Sequence, residues 1–104
     1  MTYTIGSGNI FADLGVDEPD EQLTKAQLVS RIADAIAARG VTQARATEIL
    51  GMRQPKVSVL LRRDFTGFSL ERLFRLLIAL DTDIAIVVEP KRREHGHVRV
   101  VTRS

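Results

Sequence analysis

The chain has 104 residues, 44 % of them apolar and 27 % charged, which sets the scale of one small domain with a modest core and excludes a disordered polyelectrolyte. It has no cysteine, so disulfide frameworks and thiolate metal sites are excluded, and no apolar run approaches the roughly 20 residues that span a bilayer. The net charge of +2 hides a segregation: residues 1–24 hold five acids and no base, and residues 42–75 seven bases against three acids. Residues 76–90 hold three acids alone, and residues 91–104 five bases against one acid.

Taken in chain order, residues 1–19 contain Gly6, Gly8, Gly15 and Pro19 with no sustained period. They read as an acidic arm carrying a small apolar set, Ile10, Phe11 and Leu14. The opening MTYTIGSGNIF has neither a basic start nor a long apolar stretch, so no signal peptide is expected, and the expected location is cytoplasmic. From about Asp20 to Arg39 the pattern turns helical. Leu28, Ile32 and Ile36 recur four apart, and Val29 and Ala33 widen the stripe. Asp20 and Glu21 at its start and Arg39 at its end complement the helix dipole, and Gly40 closes it.

Residues 42–61, TQARATEILGMRQPKVSVLL, read as two short helices joined by a tight turn. Thr42 is a good N-cap. Gly51 stands where the first helix stops, since glycine alone enters the left-handed region without steric cost. The chain restarts at Arg53, Gln54 and Pro55, with proline tolerated in a first turn. Ala46, Ile49, Leu50, Val57, Leu60 and Leu61 form the apolar side; Arg45, Arg53, Gln54, Lys56 and Ser58 form the wet side. Such a pair lets a short helix enter a DNA major groove. Basic charge concentrated on the same stretch is the footprint of a phosphate binder, against the plainer reading of a solvated face.

A turn follows over residues 62–68, and Ser69 then caps a helix over 70–80, with Leu70, Leu73, Phe74, Leu76, Leu77 and Leu80 mostly inward. The β-branched run 84–88 and the run 98–101 each read as a strand, joined by a charged loop. The expectation is a C-terminal β-hairpin over 83–104; two strands alone are marginal in water, which points weakly to a second subunit. The expected organisation is an arm (1–19), a helix-turn-helix domain (20–82) and the hairpin.

The run VTQARATEILGMRQPKVSVLL resembles the Cro/repressor-type (XRE) helix-turn-helix family. The wider string SGNIFADLG, AQLVSRIADAIAARGVTQ and GFSLERLFRLLIALDTDIAIVV resembles its HigA-type antitoxin branch, and the likeness runs from about Ser7 to Glu89. One position departs from the pattern: family members carry a small hydroxyl residue before the Gln-Pro pair, and here it is Arg53. The resemblance implies a mainly α, four- to five-helix, lambda-repressor-like domain. It also implies a homodimer on operator DNA, repression of its own operon, and a RelE/HigB-like toxin as partner. A stand-alone, phage-like regulator with no toxin is the alternative.

Gln54 is the first candidate for reading a base, because a glutamine amide donates and accepts together, matching adenine N6 and N7. Arg53 offers the corresponding fork to guanine. Lys56 and Ser58 lie nearby for base or phosphate, and an outward Val59 would touch a thymine methyl. For Gln43 the resemblance implies a phosphate contact at a helix N-terminus, and Arg62 and Arg63 follow the second helix as candidate phosphate clamps. The arm residues Ile10, Phe11, Asp13, Leu14 and Asp17 suit docking on a basic partner, the implied toxin; equally, the arm is a solvated segment packing Phe11 on its own core. His95 and His97 form a His-x-His pair without a third ligand, so neither a metal nor a cofactor is expected. No nucleophile elbow, phosphate loop or catalytic pair is present, so no enzyme is expected.

Overall fold

A computed structural model describes residues 18–90 and 96–102. The arm positions Ile10, Phe11, Asp13, Leu14 and Asp17, and likewise His95, lie outside the described residues. Four helices follow one another: α1 (Glu18–Arg39), α2 (Gln43–Leu50), α3 (Gln54–Leu61) and α4 (Leu70–Ala79). α1 begins two residues before the expected start, with Pro19 in its first turn, where its missing N–H has no helical partner to lose.

The capping chemistry follows the residue types. Thr42 Oγ1 accepts from the Arg45 N–H at 3.1 Å, and Ser69 Oγ accepts from the Arg72 N–H at 3.1 Å. Gly51 ends α2 in the left-handed region at φ 63°. The N–H of Met52 then reaches back to the Thr47 carbonyl at 3.2 Å, which closes the turn after α2. Arg53, at the start of α3, has extended backbone but no side-chain cap. Its carbonyl accepts instead from the N–H groups of Lys56 (3.0 Å) and Val57 (3.2 Å).

All four helices feed one core. Val29 and Ile32 of α1, Val57 and Leu60 of α3, and Leu73 of α4 are fully inaccessible to solvent. Ala46 and Leu50 of α2, Met52 and Phe68 join them. α1 packs on α3 and α4, and α2 on α3 and α4. Helices of eight residues are marginal in water; each buried aliphatic side chain contributes roughly 1.5–3 kcal/mol, so α2 and α3 persist through this packing.

The expected C-terminal β-hairpin is not formed among the described residues: residues 83–90 and 96–102 contain no strand. The two runs do approach, since Arg99 Nη2 pairs with Glu89 Oε2 at 3.2 Å. Ile84, Val98 and Val100 pack partly against the helical core, and the His97 ring bonds Asp20 of α1, Nδ1 to Oδ2, at 2.9 Å. β-branched residues favour an extended backbone, but a ladder requires a second backbone at about 4.8 Å with matching register. Here the two runs meet through the Glu89 and Arg99 side chains and contact the helices, but form no backbone ladder among the described residues.

α3 ends on a residue that no capping rule selects. Arg63 sits in the left-handed region at φ 60°, where glycine is usual, and the N–H of Asp64 closes the turn on the Val59 carbonyl at 3.2 Å. The Arg63 side chain crosses to α1. One guanidinium nitrogen donates to the Ser30 carbonyl (3.0 Å) and hydroxyl (2.6 Å), the other to Asp34 Oδ1 (2.7 Å). This clamp offsets a backbone cost of roughly 1–2 kcal/mol. Arg63→Ala, which keeps the strain and loses the clamp, is expected to be less stable than Arg63→Gly by about 1 kcal/mol in denaturant titration. Equal stability of the two variants would show that the left-handed turn carries no strain.

Candidate nucleic-acid interface

The helix-turn-helix consists of α2, the Gly51 turn and α3. Val57 and Leu60 face inward and the polar residues at the start of α3 face water. Arg53, Gln54 and Pro55 are all exposed, as are Gln43, Ala44 and Arg45 at the start of α2. The two helix starts meet at their side chains. Gln54 Nε2 donates to Gln43 Oε1 at 3.1 Å, and Ser58 Oγ lies 3.5 Å from the same oxygen. This bond holds the Gln54 amide in a defined orientation, with its carbonyl oxygen and second N–H still available. It also engages the acceptor of Gln43 and leaves that amide's two donor hydrogens for an anion.

The other candidates divide by environment. Arg53 and Arg62 are exposed and make no side-chain hydrogen bond or ion pair among the described residues. Arg63, as described above, is held on α1. Lys56 is half-buried, its ammonium 4.7 Å from the centroid of the Phe68 ring, a cation–π distance. A side chain at Gly67, where φ is +82°, would come within 3.3 Å of the same ammonium. Lys56 is thus drawn toward the turn after α3. Val59 is half-buried and packs partly against the core, leaving only part of its surface outward.

That turn carries its own order. The Asp64 carboxylate accepts from the Thr66 N–H at 2.9 Å. Hydrogen bonds from the Thr66 side chain and then its backbone, aided by the Arg62 and Lys56 charges, hold the Asp64 carboxyl below its ordinary value. Asp64 thus stays ionised at neutral pH and faces the basic side chains at the end of α3.

Phe68 and Arg72 were not among the sequence candidates. Phe68 is buried, with Lys56 on its ring and the Arg72 guanidinium carbon 5.7 Å from its centroid. A signal existed: an apolar residue just before an N-cap serine, followed by Leu73 at the fourth helical position, is the pattern of a hydrophobic staple. Both residues belong to the core. Among the described residues no group of three or more His, Asp or Glu side chains is placed to hold a metal ion. No described helix is long and apolar enough to cross a membrane.

Comparison with known proteins agrees with this geometry. The family model described as "Helix-turn-helix domain" matches residues 10–89. A solved structure named "Putative XRE Family Transcriptional Regulator" is similar over 85 % of this chain and 99 % of its own, at 38 % identity and a TM-score of 0.74. No match is found among curated proteins. With an exposed helix pair joined by a left-handed glycine, and these two matches over most of its length, the chain belongs to the XRE family of helix-turn-helix proteins, DNA-binding regulators rather than enzymes.

Proposed function

We propose that the protein is a sequence-specific repressor acting in the cytoplasm as two copies on a pseudo-palindromic operator, each copy placing α3 in a major groove. The recognition helices of such a dimer lie about 34 Å apart, one turn of the duplex. The observation that carries this reading is the Gln43–Gln54 bond. Gln54 then presents one acceptor and one donor to adenine N6 and N7, while the free N–H groups of Gln43 meet a phosphate at the start of α2. Arg53 offers a fork to guanine, Ser58 a hydroxyl beside Gln54, and Val59 its outward edge to a thymine methyl. Arg62 contacts phosphate, and Lys56 does so from beside the Phe68 ring.

The finer reading is that this repressor is the antitoxin of a type II pair, neutralising a RelE/HigB-like toxin and repressing its own operon. Its support is the resemblance of the sequence to the HigA-type branch and the arm of residues 1–24, with five acids, no base and the apolar residues Ile10, Phe11 and Leu14. Ribonuclease toxins are basic because they bind RNA, and Asp13 and Asp17 among those apolar residues supply the complement. A stand-alone regulator shares the operator chemistry and lacks the partner. Co-expression with the adjacent reading frame separates the two: growth rescue and a co-purified complex support the antitoxin, and an expressed neighbour that neither binds nor is neutralised leaves the stand-alone regulator.

Two DNA measurements test the residue roles. Gln54→Ala is expected to lose roughly 1–3 kcal/mol on the operator and to relax preference at one base pair, and Gln43→Ala to weaken the same preference by freeing the amide it orients. Unaltered base preference in both removes the pair from the readout. Arg62→Ala is expected to lower the slope of log affinity against log salt by about one unit, with Arg63→Ala nearly without effect on it. The reverse result would make Arg63 the phosphate ligand.

A further inference from the structure

We infer that Arg72 of α4 and Lys56 of α3 form a clamp on one phosphate of the DNA backbone, with the Phe68 ring as the residue that positions both cations. This rests on the DNA-binding reading above and extends the interface beyond the helix-turn-helix to α4. The Lys56 ammonium lies 4.7 Å and the Arg72 guanidinium carbon 5.7 Å from the centroid of that one ring. Both are within the range at which the electron-rich face of an aromatic attracts a cation. The two distances end on the same point, so the charges stand no more than about 10 Å apart, the screening length of ordinary salt.

Among the described residues neither side chain makes a hydrogen bond or an ion pair. The neighbouring carboxylates are engaged elsewhere. Glu71 pairs with Arg75, and Asp64 accepts from the Thr66 N–H and is held ionised chiefly by Thr66. Two like charges this close repel. An anion between them replaces the repulsion with two attractions, and a phosphate accepts from both an ammonium and a guanidinium fork.

The ring decides where the lysine goes. Phe68 is buried and belongs to the core, so it is a fixed support. Lys56 stands in the first turn of α3 with Gln54, and a free lysine there has the reach to touch base edges. The ring draws it instead to the turn after α3. There Gly67 is exposed, and a Cβ on it would stand 3.3 Å from the ammonium. The missing side chain leaves that approach open to a ligand. Arg72, in the first turn of α4 and exposed, comes to the same ring from the other helix. Phe68 thus commits Lys56 to the backbone and leaves the bases to Gln54.

The test uses the full chain and a duplex that the wild type selects from random sequence. Methylphosphonate linkages, each removing the charge of one phosphate, are placed at every position in turn. At one position the uncharged linkage is expected to weaken wild-type binding about tenfold. Arg72→Ala and Lys56→Ala are each expected to lose most of that sensitivity at the same position, with base preference kept in Arg72→Ala. Losses at two different positions, or at none, would overturn the clamp. Phe68→Leu keeps an apolar core side chain and removes the ring. It is expected to lose the same sensitivity and to gain a second base preference beside that of Gln54, as Lys56 is released. A lowered melting temperature with both properties unaltered would make Phe68 a core residue only; if the variant does not fold, the exposed Arg72→Ala still decides. A salt titration on a duplex of arbitrary sequence separates this inference from the repressor reading. Lys56→Ala with Arg72→Ala is expected to flatten the slope there by about one unit. A flattened slope in a protein without operator preference leaves the clamp standing and sinks the repressor, and operator preference with an unaltered slope does the opposite.

Discussion

Val57 and Leu60 of α3, both without solvent access, are the constraint on which the interface depends. A helix of eight residues has too few internal hydrogen bonds to overcome its nucleation cost. Sinking these two side chains among Val29, Ile32 and Leu73 makes it persist, and it also sets its rotation. Arg53 and Gln54 stand one turn before Val57, at the start of the same helix, and are exposed.

Three arginines of the interface region show how tertiary context divides identical chemistry. Arg53 and Arg62 extend from the ends of α3 and make no side-chain hydrogen bond or ion pair among the described residues, although the Arg62 charge acts on the Asp64 carboxylate. Arg63 closes the helix in a left-handed turn and has its guanidinium on Ser30 and Asp34 of α1. It aligns α3 on α1, whereas Arg62 remains open to a phosphate. Lys56 is in an intermediate position, its charge delivered to the turn after α3 by the Phe68 ring. That turn, with Asp64 held ionised by Thr66, collects basic and acidic groups at one end of α3.

The helical half of the molecule was legible because its signals are local. Thr42, Gly51 and Ser69 sit where caps and a left-handed stop are needed, and each acts there. The four-residue recurrence of Leu28, Ile32 and Ile36 corresponds to buried positions of α1. The bond between Gln43 and Gln54 was not legible, since it joins side chains eleven positions apart across a turn whose angle follows from packing. Phe68 looked like a loop residue because its neighbours Gly67 and Thr66 are turn formers, yet it is buried. The staple pattern with Leu73 was the one available hint.

The C-terminal runs mark the other limit. Their residue types specify an extended backbone, and residues 84–88 are not helical, but strand pairing is a relation between two segments. Composition and local pattern alone determined a mainly helical chain, its caps, its turn residues and the basic character of residues 42–75, since each depends on a residue and its near neighbours. Tertiary structure decided which arginine is free, how Gln54 is held and whether the terminal runs pair with each other. Those depend on distances between residues far apart in sequence, which only the packed core sets.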